Sequence, residues 1–162
     1  MSEDEGVGLA YEDLEEATTF EPSYTKTQDR ALHWYYTPAR IERAYFADVL
    51  GQDQRNRTSL ILELLREDGA RDVKKYSCGS KNRVNHTTDG KRLTAKAWRK
   101  STFGLFIARL MSLGVDRRLF ASGDISALEG LRFYWTPTRI ERPKPFPTST
   151  PLFPEAWWTE DD

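Results

Sequence analysis

TSLILELLRE, Thr58 to Glu67, is a strong apolar run that a strand and a helix could both claim. Leu60, Leu62 and Leu64 alternate with Ile61, Glu63 and Leu65, and Asp68-Gly69 follows as a hairpin turn signal. Past the turn, Val73, Lys75 and Ser77 alternate with Lys74, Tyr76 and Cys78, and Gly79-Ser80 ends the pattern. Two antiparallel strands joined at Asp68-Gly69-Ala70 fit both halves, so the run reads as a strand and the chain as mainly β.

Working outward, His33-Trp34-Tyr35-Tyr36 is rich in strand formers and stops at Thr37-Pro38, with ordered structure expected from about Leu32. Arg40 to Val49 reads as a longer strand with Ile41, Phe46 and Val49 as core residues, a helix being the alternative. Ile41 and Phe46 differ in parity, so the strand needs a bulge or a change of face. Gly51 to Arg57 reads as a loop, and Lys81 to Arg99 as a long mobile loop containing its own small hairpin. Ser101 is a good N-cap, and Phe103, Leu105, Phe106, Leu110, Met111 and Leu113 form a helical stripe ending at Gly114. This predicts the principal helix over about 101–113. Asp124 to Gly130 looks like a single helical turn capped by Asp124, and Leu131 to Trp135 like the last core strand. Pro143, Pro145, Pro147, Pro151 and Pro154 then predict an extended linker without helix or sheet.

Charge divides the chain sharply. Its 162 residues carry a net charge of −1. Arg71 to Lys100 holds ten cations against Asp72 and Asp89, a local charge of +8, whereas residues 1–22 hold eight acids and no Lys or Arg. Tyr76 and Trp98 lie among the cations, with a turn expected at Thr88-Asp89-Gly90. Cations follow a phosphate backbone and flat rings stack on bases, the mixture a sequence-tolerant single-strand binder needs. A solvated basic hairpin is the plainer account.

The acidic start lacks the basic and apolar parts of a secretory signal, and no apolar run approaches the roughly 20 residues of a membrane span. Cys78 is the single cysteine, which suits a reducing, cytoplasmic setting (host cytoplasm if the chain is viral). With only His33 and His86 beside it, a structural zinc site is not expected, and no cofactor is called for. No P-loop, GxSxG, HExxH or dinucleotide fingerprint occurs, so an enzyme is not expected. A nucleophile built from Cys78, His86 and Asp89 would sit in a polar loop with nothing to hold its geometry; Cys78 reads as a small apolar filler.

Trp34 to Arg43, WYYTPARIER, nearly recurs as Phe133 to Arg142, FYWTPTRIER. Either two strand ends halt at similar prolines, or the two strands lie side by side and present Arg40, Arg43, Arg139 and Arg142 together.

The segments KKYSCGS, DGKRL, STFGLFIARLMSLGV and DISALEGLRFYW, with the Pro/Lys exit that follows, resemble small phage-encoded single-stranded DNA-binding proteins and their prophage relatives. The resemblance spans roughly Arg40 to Pro145 and implies a five-stranded, OB-like antiparallel barrel over 31–142. A disordered acidic arm (1–30) would precede it, and a Pro-rich linker and acidic tail (143–162) would follow. The implied role is binding single-stranded DNA, with RNA as the alternative and little sequence preference, in replication or recombination. Lys74, Lys75, Tyr76, Lys81, Arg83, Lys91, Arg92, Lys96, Trp98, Arg99 and Lys100 are the expected interface. The tail residues Trp157, Trp158, Glu160, Asp161 and Asp162 are similar to the acidic tail by which bacterial single-strand binding proteins recruit replication partners, except that here the apolar pair precedes the acids. A homo-oligomer is compatible with this reading. The competing class is a protein-interaction, virion or host-inhibitor protein acting through its acidic arms.

Overall fold

The apolar run at Thr58 is extended. The structure is a computed structural model that describes residues 23–26, 37–51, 55–79, 85–116, 123–142 and 148–159. Their order is β1 (Ser23–Lys26), β2 (Thr37–Leu50), β3 (Asn56–Arg66), β4 (Arg71–Ser77), α1 (Thr102–Ser112), β5 (Arg132–Glu141) and β6 (Leu152–Trp157), with a 3-10 turn at Ile125–Leu128 before β5. All strands belong to one antiparallel sheet in which β3 lies between β2 and β4, and β5 pairs β1, β2 and β6.

Period-two alternation sets the β3–β4 hairpin. Leu60, Leu62 and Leu64 enter the core, while Glu63 and Leu65 lie on the other face, partly exposed. Asp68 Oδ1 accepts from the Ala70 N–H at 3.0 Å, and Gly69 turns the chain with φ +89, a value a side chain would resist.

β2 solves its parity conflict with a bulge. Register against β3 shifts between Ile41 and Arg43, so the buried set changes from Ala39 and Ile41 to Ala44 and Phe46. Val49, expected inside, falls on the outward parity and is only partly buried.

In α1 the Ser101 hydroxyl accepts from the Gly104 N–H at 3.0 Å, capping the helix. Phe103, Phe106, Ile107 and Leu110 face the core. Asp124 caps the 3-10 turn by accepting from Ser126 N–H at 2.9 Å.

Two expectations about the C-terminal third are corrected. β5 does not stop at Thr136-Pro137 but runs to Glu141. Thr138 N–H donates to Pro151 on the β6 side, so the nitrogen of Pro137 points to the opposite edge. There β2 starts at Thr37 opposite Trp135 and β1 finishes at Lys26 opposite Thr138, a break in the ladder where no donor is needed. The Pro-rich segment is likewise not free of sheet: Leu152–Trp157 is β6, with Leu152 and Phe153 buried. The core strands therefore continue beyond residue 142. His33–Tyr36, most of the 1–30 arm and residues 143–147 lie outside the described residues; within that arm, Ser23–Lys26 pairs with β5.

Among the described residues the backbone ladder does not close. β4 is an edge strand next to β3, β6 pairs only β5, and side chains join the two. The Tyr76 hydroxyl donates to the Leu152 carbonyl, and its ring lies 4.8 Å from Phe106 of α1 and 6.1 Å from Phe153 of β6. The helix thus plugs the gap between these two edge strands.

Candidate nucleic-acid interface

β4 splits the expected interface between two faces. Lys75 is exposed on the outer face, whereas Lys74 points the other way and pairs with Asp72 at 3.2 Å. Neighbours on a strand cannot share a face, so Lys74 and Lys75 do not act as one patch. Tyr76, expected to stack on bases, is fully buried. Burial, with Asp72 adding to it, raises its phenol pKa, which keeps the hydroxyl a donor to Leu152. Cys78 is buried just beyond the strand, where burial holds the thiol protonated.

Most of the basic segment is docked rather than loose. His86 bridges Leu93, and Thr87 N–H donates to the Arg92 carbonyl at 2.9 Å, which realises the expected small hairpin. Asp89 Oδ1 accepts from the Thr87 hydroxyl at 2.6 Å and the Lys91 N–H at 3.0 Å. These bonds, the hydroxyl first, hold its carboxyl below the usual range. Phe46 N–H donates to Gly90 O at 2.7 Å, so the hairpin covers the free edge of β2. A Cβ on Gly90 would lie 2.8 Å from the Phe46 carbonyl oxygen, leaving no room for a side chain. His86 Nε2 lies 3.3 Å from Asp48, and Leu93 and Ala97 are buried. The expected long mobile loop is thus corrected over residues 85–100: its apolar residues anchor it.

Of the cations expected there, Lys91 and Lys96 are exposed, and Arg92, Arg99 and Lys100 are partly buried. Trp98 is partly buried, with its ring 3.6 Å from where a Cβ of Gly79 would stand. Lys81 and Arg83 lie outside the described residues.

Sequence reading missed the outer face of the sheet. Behind the bulge, β2 turns Arg43 and Tyr45 outward, beside Ile61 and Glu63 of β3 and Val73 and Lys75 of β4. Glu63 Oε2 meets Arg43 at 3.2 Å and accepts from the Tyr45 hydroxyl at 3.0 Å, and the Arg43 guanidinium lies 4.8 Å from the Tyr45 ring centroid. Burial, then Glu63, lifts the Tyr45 phenol above its ordinary range. Glu42, at the bulge, meets Arg71 at 3.0 Å and Arg40 at 4.0 Å. The signal was available in the parity change between Ile41 and Phe46, since a bulge there fixes which side chains face out.

The C-terminal tryptophans belong to the domain. Trp157 donates from Nε1 to the Leu113 carbonyl and packs 4.7 Å from Phe133. Trp158 lies 4.1 Å from the Arg132 guanidinium and donates its N–H to Arg132 O at 3.1 Å. Arg109 ties β6 to α1 by donating to Pro154 O at 3.2 Å and meeting Glu155 at 3.6 Å. Glu160, Asp161 and Asp162 lie outside the described residues. The two repeat strands are neighbours, but antiparallel pairing at Thr37–Trp135 carries their arginines in opposite directions. Arg40 thus lies opposite Arg132 and Arg139 opposite Thr25, while Arg142 donates to Lys100 O and Thr102.

Comparison with protein families, with curated proteins and with solved structures gave no match. Among the described residues, no helix is long and apolar enough to cross a membrane, and no three His, Cys, Asp or Glu side chains gather as a metal site.

Proposed function

We propose that this chain is a single-strand nucleic-acid-binding domain of the OB type, with little sequence preference, serving replication or recombination. The observation that carries the reading is the outer sheet face. Across β2, β3, β4 and the start of β5 it gathers Arg40, Arg43, Arg57, Arg71, Lys75 and Arg132 against Glu42 and Glu63. Tyr45 and Trp158 supply rings beside those cations. Guanidinium groups suit phosphate oxygens, and rings accept any base.

Topology supports it too. Counted from β2 as the first strand, the order is third, second, first, fourth, fifth, with the principal helix between the third and fourth. That is the strand order of an OB barrel left partly open, whose second and third strands line the binding groove. The basic segment at Lys91 and Lys96 adjoins this face through Gly90, which docks on β2 beside Tyr45.

Fluorescence anisotropy with labelled oligo-dT at several salt concentrations tests the proposal. Log affinity should fall linearly with log salt, by roughly 0.7 for each phosphate neutralised on a single strand. Duplex DNA should compete weakly. No binding at low salt, or affinity indifferent to salt, would refute it.

A further inference from the structure

Strand register places a line of guanidinium groups straight across the outer face. Trp157 pairs with Phe133, so Trp158 stands beside Arg132. Arg132 lies opposite Arg40, Arg40 opposite Leu65, and Leu65 opposite Arg71. The line Trp158–Arg132–Arg40–Leu65–Arg71 therefore crosses β5, β2, β3 and β4 at right angles to the strands. At about 4.8 Å per strand, its three arginines span about 14 Å.

Arg40 and Arg132 form a like-charged pair directly opposite one another on adjacent strands, an arrangement that costs stability. Glu42 bridges Arg71 and Arg40. Arg71 keeps 71 % of its side chain exposed and Arg40 48 %. At the other end the Arg132 guanidinium lies over the Trp158 ring, 4.1 Å from its centroid, which fixes a partly exposed ring at the end of the arginine line. A row of cations ending in a ring fits a polyanion that carries flat groups, and fits an acidic peptide less well, because carboxylate chains have nothing to stack.

We infer that a single strand runs across the sheet along Arg71, Arg40 and Arg132, its backbone phosphates on the guanidinium groups and a base on Trp158. The inference rests on the single-strand reading above and deepens it. It moves the principal contacts from the basic segment at Lys91–Lys100 to the sheet, and gives the C-terminal Trp158 a place in the site.

The test uses the full chain, labelled oligo-dT and anisotropy between about 50 and about 200 mM salt. R40Q/R71Q/R132Q should flatten the log–log salt slope by about 2, at roughly 0.7 per lost phosphate. R71Q, at a highly exposed position, should flatten it by about 0.7. W158A should weaken binding about tenfold while W158F, which keeps a ring, stays within about threefold of wild type. Melting curves show that each variant folds; should the triple variant not fold, R71Q and W158A decide. Wild-type binding with unchanged slope in R71Q and unchanged affinity in W158A overturns the row and leaves the single-strand reading standing. Absence of wild-type binding overturns both. Poly-glutamate that displaces oligo-dT at equal charge concentration overturns the row as a nucleic-acid track and assigns it to an acidic protein.

Discussion

β4 and β6 are edge strands of the same sheet, and local composition misrepresents both. β4, with Arg71, Lys74 and Lys75, reads as a binding strand, yet Tyr76 is buried and Lys74 is turned from the outer face. β6, with Pro151 before it, Pro154 within it and acids behind it, reads as a detached tail, yet Phe153 is 1 % exposed and Leu152 5 %. Composition averages over both faces of a strand, whereas packing acts on one. On β4 the outward parity carries Arg71 and Lys75, and the inward parity adds to the Lys74–Asp72 pair a phenol whose hydroxyl reaches β6. On β6 the proline is tolerated because the strand lies at the sheet's edge. The pair meets at Tyr76 and Leu152, so the strand expected to hold nucleic acid and the tail expected to hold a partner touch each other through their inward sides.

The comparison breaks most readily by removing β6. Deleting 152–162 should abolish cooperative unfolding, because it uncovers Tyr76, Phe106 and Phe133 together; deleting only 160–162 should leave the melting curve unchanged. Retention of a cooperative melt by the longer deletion would show β6 to be dispensable. Next in size, Phe153→Ala should cost about 3–5 kcal/mol by denaturant unfolding. Val73→Ala, on the outward side of β4 and 51 % exposed, should cost about 0.5 kcal/mol or less. Equal costs would erase the difference between the strands.

Smaller effects sharpen the division within β4. Tyr76→Phe should lose about 1–2 kcal/mol, since the buried Leu152 carbonyl then lacks its donor, while oligo-dT affinity stays unchanged. Lys75→Ala should do the reverse, keeping stability and weakening binding. A weakened affinity in Tyr76→Phe would return that residue to the interface. The smallest effect is a pH dependence in the hairpin beside β2. Asp89 has a depressed pKa, chiefly through the Thr87 hydroxyl. A depressed carboxyl stabilises the fold above its unfolded pKa, ordinarily 3.8, and that contribution disappears as pH falls through the lower folded value. The protection of the Lys91, Gly90 and Arg92 amides, taken relative to their intrinsic exchange rates at each pH, should therefore fall as pH drops through that value, and D89N should already show reduced protection at neutral pH. Equal exchange in D89N and wild type would contradict this.

Much of the fold is legible in the residues because the signals are local. The β3–β4 hairpin follows from alternation about Asp68-Gly69, α1 from Ser101 and Gly114 around an apolar stripe, and the β2 bulge from the parity of Ile41 and Phe46. β6 is not legible, since a short strand with Pro154 inside it takes its pairing from β5, and nothing local announces that. The site is harder still. Trp98 and the cations up to Lys100 stand out by composition, but Arg40, Arg71 and Arg132 come from three distant segments. Their alignment depends on the bulge, which decides that Arg43 and Tyr45 face outward with Arg40. Trp158 needs β6 in place before it can reach Arg132.

The most direct test reads the indole N–H signals of the five tryptophans by NMR while oligo-dT is titrated into the full chain. Trp158 lies on the outer face beside Arg132, whereas Trp135 and Trp157 point their Nε1–H groups at the Ala39 and Leu113 carbonyls. Binding across the outer face predicts a saturable shift of the Trp158 signal while those of Trp135 and Trp157 stay in place. A saturating titration that leaves Trp158 unmoved, or that shifts Trp98 alone, would contradict it.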